Sequence, residues 1–171
     1  MKLLIIFIYL ITINFGYAFE QPNLKNLVII ENPKSYEDVV FMDINQKNVN
    51  LEDFKGKLII LNFWATWCAP CKEEMPSLDD LQSNTKLNNL KIFPINIGQE
   101  DALKSEFFFK ELNIHNLKIY FDAPITLAKK FSLRGVPTTI IFNKEGKEFA
   151  RIIGSINFSD EEFINWLKHY N

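Results

Sequence analysis

Cysteine is nearly absent from this chain of 171 residues: there are two, Cys68 and Cys71, both within one helical turn of sequence. Two are too few for a disulfide-stapled scaffold, so the pair reads as one chemical unit. Glycine, at 6, and proline, at 7, are also scarce, which excludes a flexible or proline-rich linker and points to one folded domain. Histidine is limited to His115 and His169, so a zinc site built on the cysteines lacks further ligands. His115 reads as a loop residue and His169 as a residue suited to a negative helix end. Basic charge in excess is missing too: the net charge is -2 and the lysines and arginines are scattered, so nucleic acid is not an expected partner. What is present is 47% hydrophobic against 23% charged residues, enough for one buried core.

Met1 and Lys2 precede an uncharged stretch from Leu3 to Phe19. The positive start, the short apolar run and the small residues Gly16 and Ala18 match an export signal cleaved after Ala18. The alternative is an uncleaved membrane anchor through residues 3–19, at the lower edge of the length that spans a bilayer. Either way the folded part lies outside the cytoplasm, in a periplasmic space or on the outer face of the cytoplasmic membrane. Because no cysteine follows the run, lipid attachment there is excluded.

Residues 19–38 read as an extended arm and 39–171 as the folded domain. Val39 to Ile44 and Lys47 to Leu51 suggest two short strands around Asn45-Gln46, a turn without its usual glycine. Lys57 to Trp64 is an apolar run expected of a central strand buried on both faces. From Pro70 to Leu87, Met75, Leu78 and Leu81 recur at spacing three, which predicts a helix kinked near its start by Pro76. Lys91 to Ile97 predicts a strand and Asp101 to Leu112 a helix, whose Phe107, Phe108 and Phe109 are expected in the core. Ile119 to Phe121 suggests a short strand and Pro124 to Phe131 a short helix. Thr138 to Phe142 and Glu148 to Ile153 form a hairpin turned at Gly146, and Ser159 with Glu162 predicts a capping box for the last helix. Strands alternating with helices imply an α/β fold.

The segment Phe63-Trp64-Ala65-Thr66-Trp67-Cys68-Ala69-Pro70-Cys71 runs from the central strand into a helix. Backbone N–H groups at a helix start favour the thiolate, the species that attacks disulfides, so Cys68 is the expected nucleophile. Cys71, one turn inside, is the expected resolving thiol. A purely structural disulfide competes poorly, since so short a loop stabilises little.

With FWATWCAPCKEEMP at 63–76 and GVPTT at 135–139, the sequence resembles the exported thioredoxin-like family that includes TlpA, ResA and the DsbE reductases. The resemblance covers nearly all of the chain after Val39. It implies a thioredoxin fold, a central mixed sheet flanked by helices, with an N-terminal β-hairpin and a strand-helix insert around Gln99 to Tyr120. It also implies a cis peptide before Pro137, whereas the bare sequence would suggest a trans turn. Pro137 would face the cysteines, and Val136 would pair with substrate through its backbone. Trp67, Ala69, Pro70 and Thr138 complete the expected substrate-binding set. Glu74 matches a glutamate found near the cysteine pair in relatives resembling ResA and would serve as the base for Cys71; read alone, it is a solvated helix residue. Thioredoxin's buried strand aspartate is replaced here by Asn62, which cannot exchange that proton.

The resemblance implies an exported thiol-disulfide oxidoreductase acting chiefly as a reductase of protein disulfides, with no cofactor and as a monomer. Apocytochrome c haem-site cysteines are the implied substrate and a DsbD- or CcdA-like membrane thiol carrier the implied electron donor. Rival readings are a general disulfide oxidant or isomerase, a metal-delivery module on the same fold, and a non-redox binding domain.

Overall fold

A computed structural model describes residues 22–122 and 124–171. The export signal or anchor expected in 1–18 lies outside the described residues. Among the described residues eight strands form one mixed sheet: β1 (Leu27–Lys34), β2 (Val40–Asp43), β3 (Asn48–Asn50), β4 (Leu58–Trp64), β5 (Leu90–Asn96), β6 (Tyr120–Phe121), β7 (Thr138–Phe142) and β8 (Glu148–Ile153). Their order is β1-β8-β7-β4-β5-β6-β2-β3. The four α-helices among the described residues are α1 (Ala69–Gln82), α2 (Ala102–Glu111), α3 (Leu127–Lys130) and α4 (Glu161–Leu167).

β4 is the organising strand. It is buried along its whole length, parallel to β5 and antiparallel to β7. Strand side chains alternate between faces, so Leu58, Ile60 and Trp64 meet α1, α2 and α4 in one core. Ile59, Leu61 and Phe63 enter a second core on the opposite face with Phe41, Phe93, Leu127 and Phe131. A strand with apolar residues at nearly every position is what such two-sided burial requires. Asn62 is the polar exception in the run, with no exposed surface.

The hairpin β2-β3 and the insert α2-β6 extend the sheet at one edge, where β6 pairs with β2 and β5. The glycine-free turn at Asn45-Gln46 closes because Gln46 takes a positive φ of 62° and Asp43 Oδ1 accepts the N–H groups of Asn45 and Lys47, both at 2.9 Å.

Several expectations are corrected in detail. The arm at 19–38 contains β1, which pairs antiparallel with β8 through Leu27↔Ile152 and Ile29↔Ala150, so the folded unit begins before residue 39. As an edge strand β1 tolerates Pro33, which has no N–H to offer a neighbour. The helix after the cysteines stops at Gln82, and Asn84 caps a separate 3₁₀ turn at Thr85–Leu87 by accepting from Lys86 N. α3 begins at Leu127, not Pro124, because buried Asp122 accepts the N–H groups of Thr126, Leu127 and Ala128. Asp160 rather than Ser159 caps α4, accepting from Glu162 N and Phe163 N, while Glu162 accepts from Asn23 N instead of closing a capping box. Phe108 and Phe109 pack in the core as expected, whereas Phe107 is 68% exposed.

Candidate active site

β4 delivers the chain to a loop, Ala65 to Trp67, and then to the first turn of α1. Cys68 is the N-cap of that helix, with extended backbone (φ -88°, ψ 102°), and its Sγ accepts the N–H of Cys71 at 3.2 Å. Sulfur thus occupies the place where a helix start presents its unsatisfied donors. Pro70 sits inside the first turn, where a missing N–H costs nothing. Cys68 and Cys71 form a disulfide with a Cα–Cα distance of 5.3 Å. Both are buried, but Trp67, Ala69 and Pro70 around them are exposed, Trp67 by 69%. A sulfur pair just under an exposed aromatic and apolar rim suits contact with another protein.

The Val136–Pro137 peptide is cis. Thr138, next in the chain, pairs with Phe63 of β4, which brings the Gly135-Val136-Pro137 loop to the end of the sheet from which the cysteine loop departs. Pro137 is buried, and its carbonyl accepts from Gly154 N at 2.9 Å. Val136 is half-buried and packs against both cores. Thr138 is buried, and its hydroxyl donates to the Gly135 carbonyl at 2.7 Å, so that side chain ties the loop to itself.

Glu74, one turn beyond Cys71 on the buried side of α1, is only 2% exposed. The solvated reading is thereby removed. Its Oε1 accepts from Asn62 Nδ2 at 2.8 Å and its Oε2 from Ile156 N at 3.3 Å. Burial pushes its pKa up to about 7, with the Asn62 and Ile156 donors acting in the opposite direction. A groove of about 330 Å³ lined by Glu73, Glu74, Ser77, Ser155, Ile156 and Asn157 borders the carboxylate. The arrangement sets a disulfide at the start of the helix that carries, one turn beyond Cys71, a buried carboxyl group whose pKa burial raises to about 7.

Two participants had little or no sequence signal. Thr139 faces Asn62 across the β4-β7 pair and accepts its second N–H at 3.0 Å, a partnership visible only once the strand register is known. Glu100 anchors the loop before Cys68: its Oε1 accepts from the Thr66 hydroxyl at 2.6 Å and from Thr66 N at 3.3 Å. No local pattern links positions 66 and 100. Among the described residues, no group of three or more His, Cys, Asp or Glu side chains is placed to hold a metal ion.

The AhpC/TSA family model matches residues 34–147. The chain is 32% identical over 154 residues to the thiol-disulfide oxidoreductase ResA of Bacillus subtilis (strain 168), covering 90% of this chain and 85% of that protein. It is 30% identical over 140 residues to ResA of Bacillus cereus (strain ATCC 10987 / NRS 248), with 81% and 79% covered. Among solved structures it is similar to StoA from Bacillus subtilis, with a TM-score of 0.65 and 24% identity over 78% of this chain and 98% of that one. A thiol:disulfide interchange protein of the thioredoxin family from Chlorobium tepidum TLS gives 0.67 and 22%, over 82% and 98%. At those identities the structural likeness speaks to the fold, which is that of thioredoxin.

Proposed function

The chain belongs to the AhpC/TSA family and is a thioredoxin-like thiol-disulfide oxidoreductase, and from that premise we propose that it works outside the cytoplasm as a reductase of protein disulfides. The observation that carries the reading is Cys68 Sγ held at the N-cap of α1, accepting Cys71 N–H, with buried Glu74 one turn further on. In the reduced form, Cys68 thiolate attacks one sulfur of the substrate disulfide. That S–S bond breaks, a Cys68-substrate disulfide forms and one substrate thiolate leaves. Cys71 then passes its proton to Glu74 and attacks Cys68 Sγ. The second substrate thiolate leaves, the Cys68-Cys71 disulfide forms, and two electrons have moved to the substrate.

In this reading the exposed rim of Trp67, Ala69 and Pro70 contacts the substrate, together with the Val136 backbone beside cis Pro137; Thr138 contributes by fixing that loop. The substrate proposed is apocytochrome c with its haem-binding cysteines oxidised, and a DsbD- or CcdA-like membrane thiol carrier restores the dithiol. Export through residues 3–19 puts the domain in the compartment such a carrier faces, free of the membrane if cleaved after Ala18 and tethered beside the carrier if the segment is retained as an anchor. Among the described residues no helix is long and apolar enough to cross a membrane.

The test is the reduction potential of the Cys68-Cys71 couple, read by thiol trapping after equilibration with glutathione or dithiothreitol buffers. A value near the roughly -270 mV of thioredoxin supports a reductase, and one near the roughly -120 mV of a strong oxidant makes the protein a disulfide donor instead. Cys68→Ser should abolish turnover, whereas Cys71→Ser should accumulate the mixed disulfide. Retained turnover in the Cys68 variant would overturn the assignment of the nucleophile.

A further inference from the structure

The turn between β5 and α2 is built around one carboxylate. Asn96, 2% exposed, donates from Nδ2 to Ser105 Oγ at 2.9 Å, and its Oδ1 accepts the Gly98 N–H at 2.6 Å. Gln99 takes a φ of 60°, a left-handed conformation that costs a non-glycine residue energy and persists where its surroundings fix it. Gly98 leaves the space that the Glu100 side chain fills, because a Cβ at Gly98 would overlap both carboxylate oxygens. Glu100 thus folds back over its own turn and presents Oε1 to Thr66, two residues ahead of Cys68. It accepts both the Thr66 hydroxyl, at 2.6 Å, and the Thr66 backbone N–H, at 3.3 Å. Hydrogen bonds to a carboxylate are among the strong ones.

We infer that Glu100 is a positioning residue for the nucleophile, anchoring the loop 65–67 so that Cys68 keeps its N-cap place on α1 once the disulfide is opened. The inference deepens the proposed mechanism and rests on Cys68 being its nucleophile. In the oxidised protein the S–S bond itself ties Cys68 to the first turn of α1. Reduction removes that tie. Position then depends on the loop, which is closed by Ala65 O accepting the Cys68 N–H at 3.2 Å and held in its middle by Glu100. Helix-start donors favour the thiolate only while Sγ stays among them, since the effect fades beyond the first turn. A loop released at Thr66 would let Cys68 leave that place, and its thiol would ionise less readily.

Other charged groups share the neighbourhood. Lys72, Glu73 and Glu74 lie on α1, with Lys72 paired to Glu111 of α2, and Arg134 precedes the Pro137 loop. Beside Glu100, Asp43 of β2 borders one groove, and Asp122 and Lys129 border another. Of all these, Glu100 reaches the loop by hydrogen bonds, whereas Glu74 accepts from Asn62 and Ile156. Its charge and its anchoring act on Cys68 in opposite directions, because a negative neighbour disfavours a thiolate while a fixed N-cap place favours it. Variants that lack the charge alike, but differ in the anchor, separate the two.

The experiment is the pH dependence of iodoacetamide alkylation at Cys68 in the reduced protein, from pH 4 to 10, with the modified residue located by peptide mass. Glu100→Gln and Glu100→Ala both remove the charge, but glutamine keeps an oxygen that accepts from Thr66. Cys68 should titrate about half a unit higher in Glu100→Ala than in Glu100→Gln, an about threefold difference in proton affinity. Well above both midpoints the two variants should alkylate at one rate, since the anchor sets how much thiolate is present. Gly98→Ala keeps the charge but displaces the carboxylate, and its Cys68 midpoint should rise above that of wild type. Coincident Cys68 midpoints in the two Glu100 variants overturn the inference and leave the nucleophile intact. If Glu100→Ala fails to fold, a Gly98→Ala midpoint equal to that of wild type overturns it. A wild-type Cys68 no more reactive than Cys71 at any pH overturns the nucleophile itself.

Discussion

A carboxyl group buried as deeply as Glu74 taxes the fold whenever it is charged. Its pKa rises from 4.5 to about 7, so between those pH values the folded chain keeps a proton that the unfolded chain has released. Stability from this group is therefore full below pH 4.5 and is lost as pH rises through 7, by on the order of 3 kcal/mol in all. Urea denaturation of the oxidised wild type and of Glu74→Gln across pH 4–9 should show that slope in the first and not in the second. Equal slopes would mean that the carboxyl is solvated in the folded protein. The residue types of the site are legible in the sequence because Cys68, Cys71 and Pro137 stand in short motifs with a chemical meaning. Glu74 is legible only as a choice between solvated and functional, since its neighbour Glu73 has the same identity and only helix phase and tertiary burial separate the two. Asn62 stands out as a polar interruption of an apolar strand, but its partner Thr139 lies 77 residues away.

At the scale of elements, the long periodic segments were readable and their ends were not. β4 and the β7-β8 hairpin follow from apolar runs and a turn at Gly146, whose φ is 74°. The cap of α4 does not follow, because Ser159 and Asp160 are both good N-cap residues and adjacent. The structure puts Asp160 in that role, so Asp160→Ala should cost about 1 kcal/mol and Ser159→Ala almost nothing, measured by urea unfolding. The opposite order would restore the capping box. The Phe107-Phe108-Phe109 triplet shows a related limit: identical residues on successive positions of a helix cannot all face one way. Phe108 stacks on Trp64 with ring centroids 4.8 Å apart, and Phe109 lies 5.4 Å from the same ring. Phe108→Ala should cost about 3–5 kcal/mol, while Phe107→Ala should stay within about 0.5 kcal/mol of wild type. Comparable losses at both positions would mean that Phe107 is covered in solution.

The whole molecule depends on a strand whose sequence does not advertise it. β1 has four polar or proline residues in its second half and reads as an arm, because an edge strand needs only one apolar side and can spare donors on the other. Its Leu27 and Ile29 are half-buried against the main core, and its removal would leave β8 as a bare edge. The link from β1 to β2 is tied down as well. Tyr36 donates to Glu148 Oε2 at 2.6 Å and packs edge-on against Phe131, and Lys130 donates to the carbonyls of Glu37 and Asp38. Glu148 is itself fully buried and paired with Arg151 at 2.8 Å, so losing Tyr36 would strip one partner from a buried charge. A chain starting at residue 39, the boundary suggested by the sequence, should therefore unfold at lower urea than one starting at residue 22. Roughly 3 kcal/mol should be lost from the apolar contacts of Leu27 and Ile29 alone. The exposed edge of β8 should also make the shorter chain associate with itself, visible as a concentration-dependent sedimentation coefficient. Equal urea midpoints for the two chains would show that the sheet closes adequately at β8, and that β1 is an ornament on a domain complete without it.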